Sequence, residues 1–184
     1  MASEILFALW FFLPAGAANV TPILVAKIPV LARFDQPIDF GLKYRGRELL
    51  GKHKTVRGFV SGSLIGFLVF VLQIYCFKNY IWAADLSGGL HYGSLPLITG
   101  FLLGFGALFG DALKSFFKRQ FDLASGRSWF PFDQLDYIAG GLIFSAFVVS
   151  LNFVNYLTIF IVWFLMHLLA SYVGYILKLK KDPI

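Results

Sequence analysis

The chain has 184 residues, 58% of them hydrophobic and 18% aromatic, with only 14% charged and a formal net charge of +6. Soluble domains carry about a quarter charged residues, so this composition, with a mean hydropathy of +0.74, excludes an ordinary soluble domain and describes an integral membrane protein. The single cysteine, Cys76, excludes an intrachain disulfide, and no Cys/His spacing suits a metal site.

Gaps between charges mark the predicted spans. No acidic or basic residue lies between Glu4 and Lys27, between Arg57 and Lys78, or between His91 and Asp111, and about 20 apolar residues cross the hydrocarbon as a helix. From Asp136 to Lys178 the only charge-bearing candidate is His167, and this run is long enough to cross twice. Asn152 and Asn155 mark the expected reversal, because asparagine satisfies turn backbone with its own side chain. The prediction is therefore a single all-α transmembrane domain over residues 1–184, with five helices near 5–26, 58–77, 94–114, 137–151 and 156–177. Residues 15–17 have the small-x-small look of a signal cleavage site. The absence of a basic leader and the apolar run beyond them argue for retention of the first span.

Orientation follows from lysine and arginine. Eight lie in 27–57, four in 111–136 and three after 177, against Lys78 alone in the other loops. The positive-inside rule places the rich set in the cytoplasm, with the N terminus outside and the C terminus inside. The basic face suits lipid headgroups and phosphates. No nucleic-acid-binding module is recognisable, so nucleic acid is not an expected partner.

Within the first span, Asn19 lies between Pro14 and Pro22. It either lines a polar cavity at a proline bend or re-satisfies backbone freed by proline. Glycines at 58, 62 and 66, and at 100, 104, 106 and 110, put small residues on helix faces that pack closely. His167 reads as a neutral histidine bonded to another helix, with a catalytic base as the alternative.

The stretch "GDALKSFFKRQ" places Asp111, Lys114, Ser115 and Lys118 on one helical face as the third span leaves the bilayer. Snorkelling explains the lysines, but explains an acid at that boundary poorly. Asp133 and Asp136 precede the fourth apolar run, where they suit an N-cap and an N3 acid. One loop, 115–136, joins these spans, so the three carboxylates lie near one another, and clustered carboxylates facing basic residues suit Mg²⁺ and phosphate. The second basic loop, 27–57, ends in "GKHKTVRG", which holds phosphate-binding donors without the Walker glycine spacing and reads equally as a membrane anchor.

These motifs, "LPAGAANVTPIL", "GKHKTVRG", "GDALKSFFKRQ" and "GRSWFPFDQLDY", resemble CDP-archaeol synthases and their bacterial relatives, a branch of the CDP-diacylglycerol synthase-like membrane cytidylyltransferases. The resemblance runs from the first span to the fourth; the fifth adds only hydropathy. It implies a multi-pass enzyme of the plasma membrane with cytoplasmic catalytic loops. With Mg²⁺ and CTP, such an enzyme converts a membrane lipid phosphate into a CDP-lipid and pyrophosphate. It assigns Asp111, Asp133 and Asp136 to the metal and Lys118 and Arg119 to phosphate. Lys54, Thr55 and Arg57 would contact CTP or the lipid phosphate, Lys114 would bind substrate phosphate beside Lys118 and Arg119, Ser115 would help order that site, and Asn19 would line its cavity. Val56 departs from the family, in which an aromatic often follows the Lys-Thr pair. A CDP-alcohol phosphotransferase is disfavoured by the absence of its acidic motif, and a small transporter by charges gathered at one face. A homodimer is compatible with the sequence, which does not fix the oligomer.

Overall fold

A computed structural model describes residues 2–124 and 127–178. Lys180 and Lys181, two of the lysines that set the predicted orientation, lie outside the described residues. Along the chain run α1 (Ala2–Val25), α2 (Pro29–Ala32), the strands β1 (Lys43–Tyr44) and β2 (Arg47–Glu48), α3 (Val56–Asn79) and α4 (Ile81–Asp85). They are followed by a 3₁₀ turn (Tyr92–Ser94), α5 (Ile98–Gln120), α6 (Phe132–Ser145) and α7 (Phe153–Ile176).

Among the described residues, α1, α3, α5 and α7 are long and apolar enough to cross a membrane. The fourth predicted span differs. The helix there has 14 residues, about 21 Å at 1.5 Å per residue, short of a hydrocarbon core of about 30 Å. The chain turns over 146–152, earlier than expected. Asn152 caps α7, its side chain accepting from the Asn155 N–H at 2.7 Å, so the last helix begins at Phe153 rather than near 156. The two asparagines close the reversal as a cap and its first turn.

Helix α1 keeps both prolines inside it. Pro14 has no N–H for the Trp10 carbonyl one turn earlier, and Gln73 of α3 supplies the missing donor at 2.5 Å. A buried glutamine, not Asn19, thus satisfies this proline-freed carbonyl. Helix α1 packs against α3, α5 and α7, and α5 packs on α3 and α6. Gly66 of α3 and Gly104 of α5 meet backbone to backbone, as the predicted small-residue faces require. Phe7, Phe11, Phe12, Phe70, Leu103 and Ile138 form the buried core. Trp163 ties α7 to the bundle: its Nε1–H donates to the Ala8 carbonyl at 2.9 Å, and its own carbonyl accepts from the Tyr137 hydroxyl at 3.1 Å.

The basic segment 27–57 is folded, not a loose anchor. Strands β1 and β2 pair antiparallel through a two-residue turn in which Arg45 and Gly46 both have positive φ, the geometry hairpin turns favour. Gly46 therefore serves a turn rather than a phosphate loop. Pro37 bridges Thr55, and the Asp39 carboxylate accepts from the Gly41 and Leu50 N–H groups at 3.0 and 2.8 Å. Arg47 reaches across to the end of α5, donating to the Gln120 carbonyl and pairing with Asp122 at 2.5 Å. Segment 27–57 is thereby clasped over one end of the bundle.

Candidate active site

A cavity of about 1090 Å³ lies between that segment and the helix ends. The bundle contributes Asn19, Pro22 and Ile23 from α1, Asp111 and Lys114 from α5, Asp133 and Asp136 from α6, and His167 from α7. The segment contributes Lys43, Glu48, Lys52, His53, Lys54 and Arg57, among others. One wall is thus made of the helix bundle and the other of a charged, folded loop.

Helix α5 continues to Gln120, so Asp111, Lys114 and Lys118 share a face, as the spacing predicts. Its close approach to α6 aligns the acids: a Cβ on Gly110 would strike the Asp136 carbonyl oxygen. The Lys114 ammonium stands where the carboxylates converge, 3.1 Å from Asp111 Oδ1, 2.9 Å from Asp133 Oδ1 and 2.7 Å from Asp136 Oδ2. Lys54, on the opposite wall, closes onto the other oxygen of Asp111.

The cap roles expected of Asp133 and Asp136 are corrected by the structure. Pro131 occupies the N-cap position of α6 and makes no side-chain cap bond. Asp133 lies inside the first turn and accepts instead from the Trp129 N–H at 2.6 Å. Asp136 accepts from the adjacent Tyr137 N–H at 2.6 Å rather than reaching back to the helix start. Burial raises the Asp133 carboxyl, but Lys114, the Trp129 N–H and Lys118 more than offset it and hold the group below the usual carboxylate range.

Three expected site residues do not line the cavity. Lys118 is buried, its ammonium 3.0 Å from Asp133 Oδ1 and 2.5 Å from the Arg127 carbonyl, so it is spent on positioning Asp133 rather than presented to a phosphate. Arg119 runs beside Gly51, its Nε buried without a hydrogen-bond partner among the described residues. Ser115 donates to the Asp111 carbonyl at 2.8 Å and braces α5 from within. Thr55 lines the cavity while capping α3 through the Gly58 N–H at 3.2 Å. Arg57 donates to the Leu31 carbonyl at 2.8 Å, anchoring the folded segment. His167 lies on the cavity wall against Tyr137, ring centroids 5.6 Å apart. Its isolation as the one charge-capable group in a long apolar run was the available signal for including it. Lys52 and His53, donors of the "GKHKTVRG" stretch, line the cavity as that reading expects, whereas Glu48 joins only because 27–57 folds.

The family model described as "CarS-like: CDP-archaeol synthase" matches residues 1–184. The chain belongs to the CDP-archaeol synthase family. It is 36% identical over 184 residues to the CDP-archaeol synthase of Thermococcus onnurineus (strain NA1), covering 98% of each chain. It is 39% identical over 158 residues to that of Methanosarcina mazei, covering 80% of this chain and 90% of the relative. A solved structure described as "Structural insight into an intramembrane enzyme for archaeal membrane lipids biosynthesis" superposes with a TM-score of 0.70 at 29% identity, over 89% of this chain and 92% of that one. Membership makes the chain a multi-pass membrane enzyme, a CTP-dependent cytidylyltransferase of lipid biosynthesis.

Whether these residues suit a divalent metal is answered by their chemistry. Among the described residues no three His, Cys, Asp or Glu groups are arranged to hold a metal ion by themselves; Lys114 stands between the acids. Mg²⁺, however, usually takes one or two carboxylates and completes its shell with substrate phosphates and water. Asp111, Asp133 and Asp136 supply such oxygens on the cavity wall, so the donor set fits a metal shared with a nucleotide.

Proposed function

We propose that the cavity transfers the cytidylyl group of CTP to a lipid phosphate, producing a CDP-lipid and pyrophosphate. A phosphate oxygen of the lipid bonds to the α-phosphorus of CTP, and the bond from that phosphorus to the bridging oxygen of the β-phosphate breaks. The electron pair leaves on pyrophosphate. A lipid phosphate is already anionic at neutral pH, so no side chain must remove a proton. The protein's task is to bring two anions together, mostly by positioning and charge neutralisation.

The observation that carries this reading is a cavity joining a loop wall that bears Lys43, Lys52, Lys54 and Arg57 to a wall of helix residues that bears three carboxylates. Lys52, Lys54 and Arg57 face the triphosphate from the loop side. Asn19 and His167 receive the lipid phosphate from the helix side, since ionisable and amide groups inside a span mark substrate paths. Lys118 and Arg119 act on phosphate at one remove, through Asp133 and the folded segment. Asp111, Asp133 and Asp136 would hold Mg²⁺, which when bound with CTP would neutralise charge on the triphosphate. The site faces the cytoplasm of the plasma membrane, with the N terminus outside. Five crossings, with α6 as the short one, would leave the two termini on opposite faces.

The test incubates purified protein in detergent with CTP, Mg²⁺ and a panel of ether and diacyl lipid phosphates. The reading predicts a CDP-lipid from at least one of them, and failure with all of them overturns it.

A further inference from the structure

We infer that the Lys114 ammonium holds, in the nucleotide-free enzyme, the place between the carboxylates that a divalent cation takes during the reaction, so that metal enters this site only together with nucleotide. The inference rests on the cytidylyltransferase reading and deepens it. Lys114 extends from α5, one turn beyond Asp111, and contacts carboxylates of both α5 and α6. Its side chain is 15% exposed, so the contact is made largely out of water, where an ammonium among three acids is strongly held.

Formal charge points the same way. Asp111, Asp133 and Asp136 are matched by Lys54, Lys114 and Lys118, each in direct contact with at least one of them. A bare divalent cation would add two positive charges to a balanced, partly buried group whose ligand oxygens already face an ammonium. Displacing that ammonium without offering it another anion leaves a buried charge unpaired, which is costly. A metal–nucleotide complex is net negative and brings its own replacement. Phosphate oxygens accept the ammonium, whose flexible stem lets it turn, while the freed carboxylate oxygens accept the metal. Lys114 thereby makes metal and nucleotide binding mutually dependent, each strengthening the other by the same factor.

The test uses Mn²⁺ as the probe and equilibrium dialysis of the full-length protein in detergent, with and without CTP, counting Mn²⁺ retained with the protein. The wild type should retain Mn²⁺ at least about tenfold more tightly with CTP than without it, and Lys114→Met should bind Mn²⁺ without CTP. Lys114→Gln serves if the methionine variant does not fold, and the wild-type comparison stands without either. Equal Mn²⁺ affinity of the wild type with and without CTP overturns the inference, as does a folded Lys114 variant that gains none. The cytidylyl-transfer assay, run on the same preparation, separates the two proposals. CDP-lipid formed by a wild type that binds Mn²⁺ without CTP sinks this inference alone. A CTP-dependent Mn²⁺ pattern without CDP-lipid supports it while sinking the activity.

Discussion

Gly110 of α5 and Asp136 of α6 lie so close that any side chain at 110 would meet the Asp136 carbonyl oxygen. This contact fixes the register of the two helices that carry the three site acids. Gly110→Ala should force α6 away, costing about 1–3 kcal/mol as overpacking does, and should reduce cytidylyl transfer by more than about tenfold. Thermal unfolding in detergent and the transfer assay read both effects, and an alanine variant of unchanged melting and rate would show that this contact does not hold the site.

Asp133 is held by Lys118, Lys114 and the Trp129 N–H. Asp133→Asn keeps the shape and removes the charge, leaving Lys118 with a neutral partner. A loss in kcat of about a hundredfold or more is expected. Lys118→Met, which never meets the cavity, should lower the rate less and lower the melting temperature more. Steady-state kinetics beside thermal scans distinguish the two roles, and equal profiles for both variants would contradict the separation.

His167 is the cavity's contribution from α7, on its helix wall. His167→Leu should raise KM for the lipid phosphate by about tenfold, as removal of a binding contact does, while KM for CTP changes little. A shift in the CTP constant instead would place His167 on the nucleotide side.

Arg47 clasps the hairpin to Gln120 and Asp122, with 44% and 68% of the Arg47 and Asp122 side chains exposed. Such exposed pairs contribute about 1 kcal/mol or less, so Arg47→Ala should barely alter melting. It should speed proteolysis within 27–57, because that segment forms one wall of the cavity and the clasp ties it to α5. Limited proteolysis followed by mass spectrometry reads this. A cleavage rate equal to that of the wild type would mean the segment is held elsewhere.

Much of this architecture was legible in the charge pattern. The charge-free gaps place α1 and α3 within a few residues and the end of α7 beside Lys178, whereas α5 runs on past Asp111 to Gln120. The end of α6 at Ser145 was not legible. Residues 137–151 stay apolar beyond it, and hydropathy does not register where a helix stops. The proximity of Asp111 to Asp133 and Asp136 followed from one connecting loop. That Lys114 rather than Lys118 faces the cavity did not, since the two share a helical face and only the approach of α6 decides which is covered. Residues such as Lys43 and Glu48 reach the site through the fold of 27–57, which no local periodicity encodes.

The central claim is cytidylyl transfer at the Asp111, Asp133 and Asp136 cavity. The most direct measurement supplies CTP labelled at the α-phosphorus or at the γ-phosphorus and follows each label after extraction of the lipids. The account predicts that the α label moves into the lipid phase and the γ label remains in water as pyrophosphate, with both changes abolished by chelation of Mg²⁺ and by Asp111→Asn. Transfer of the γ label to lipid, or of neither label with any lipid phosphate supplied, would contradict it.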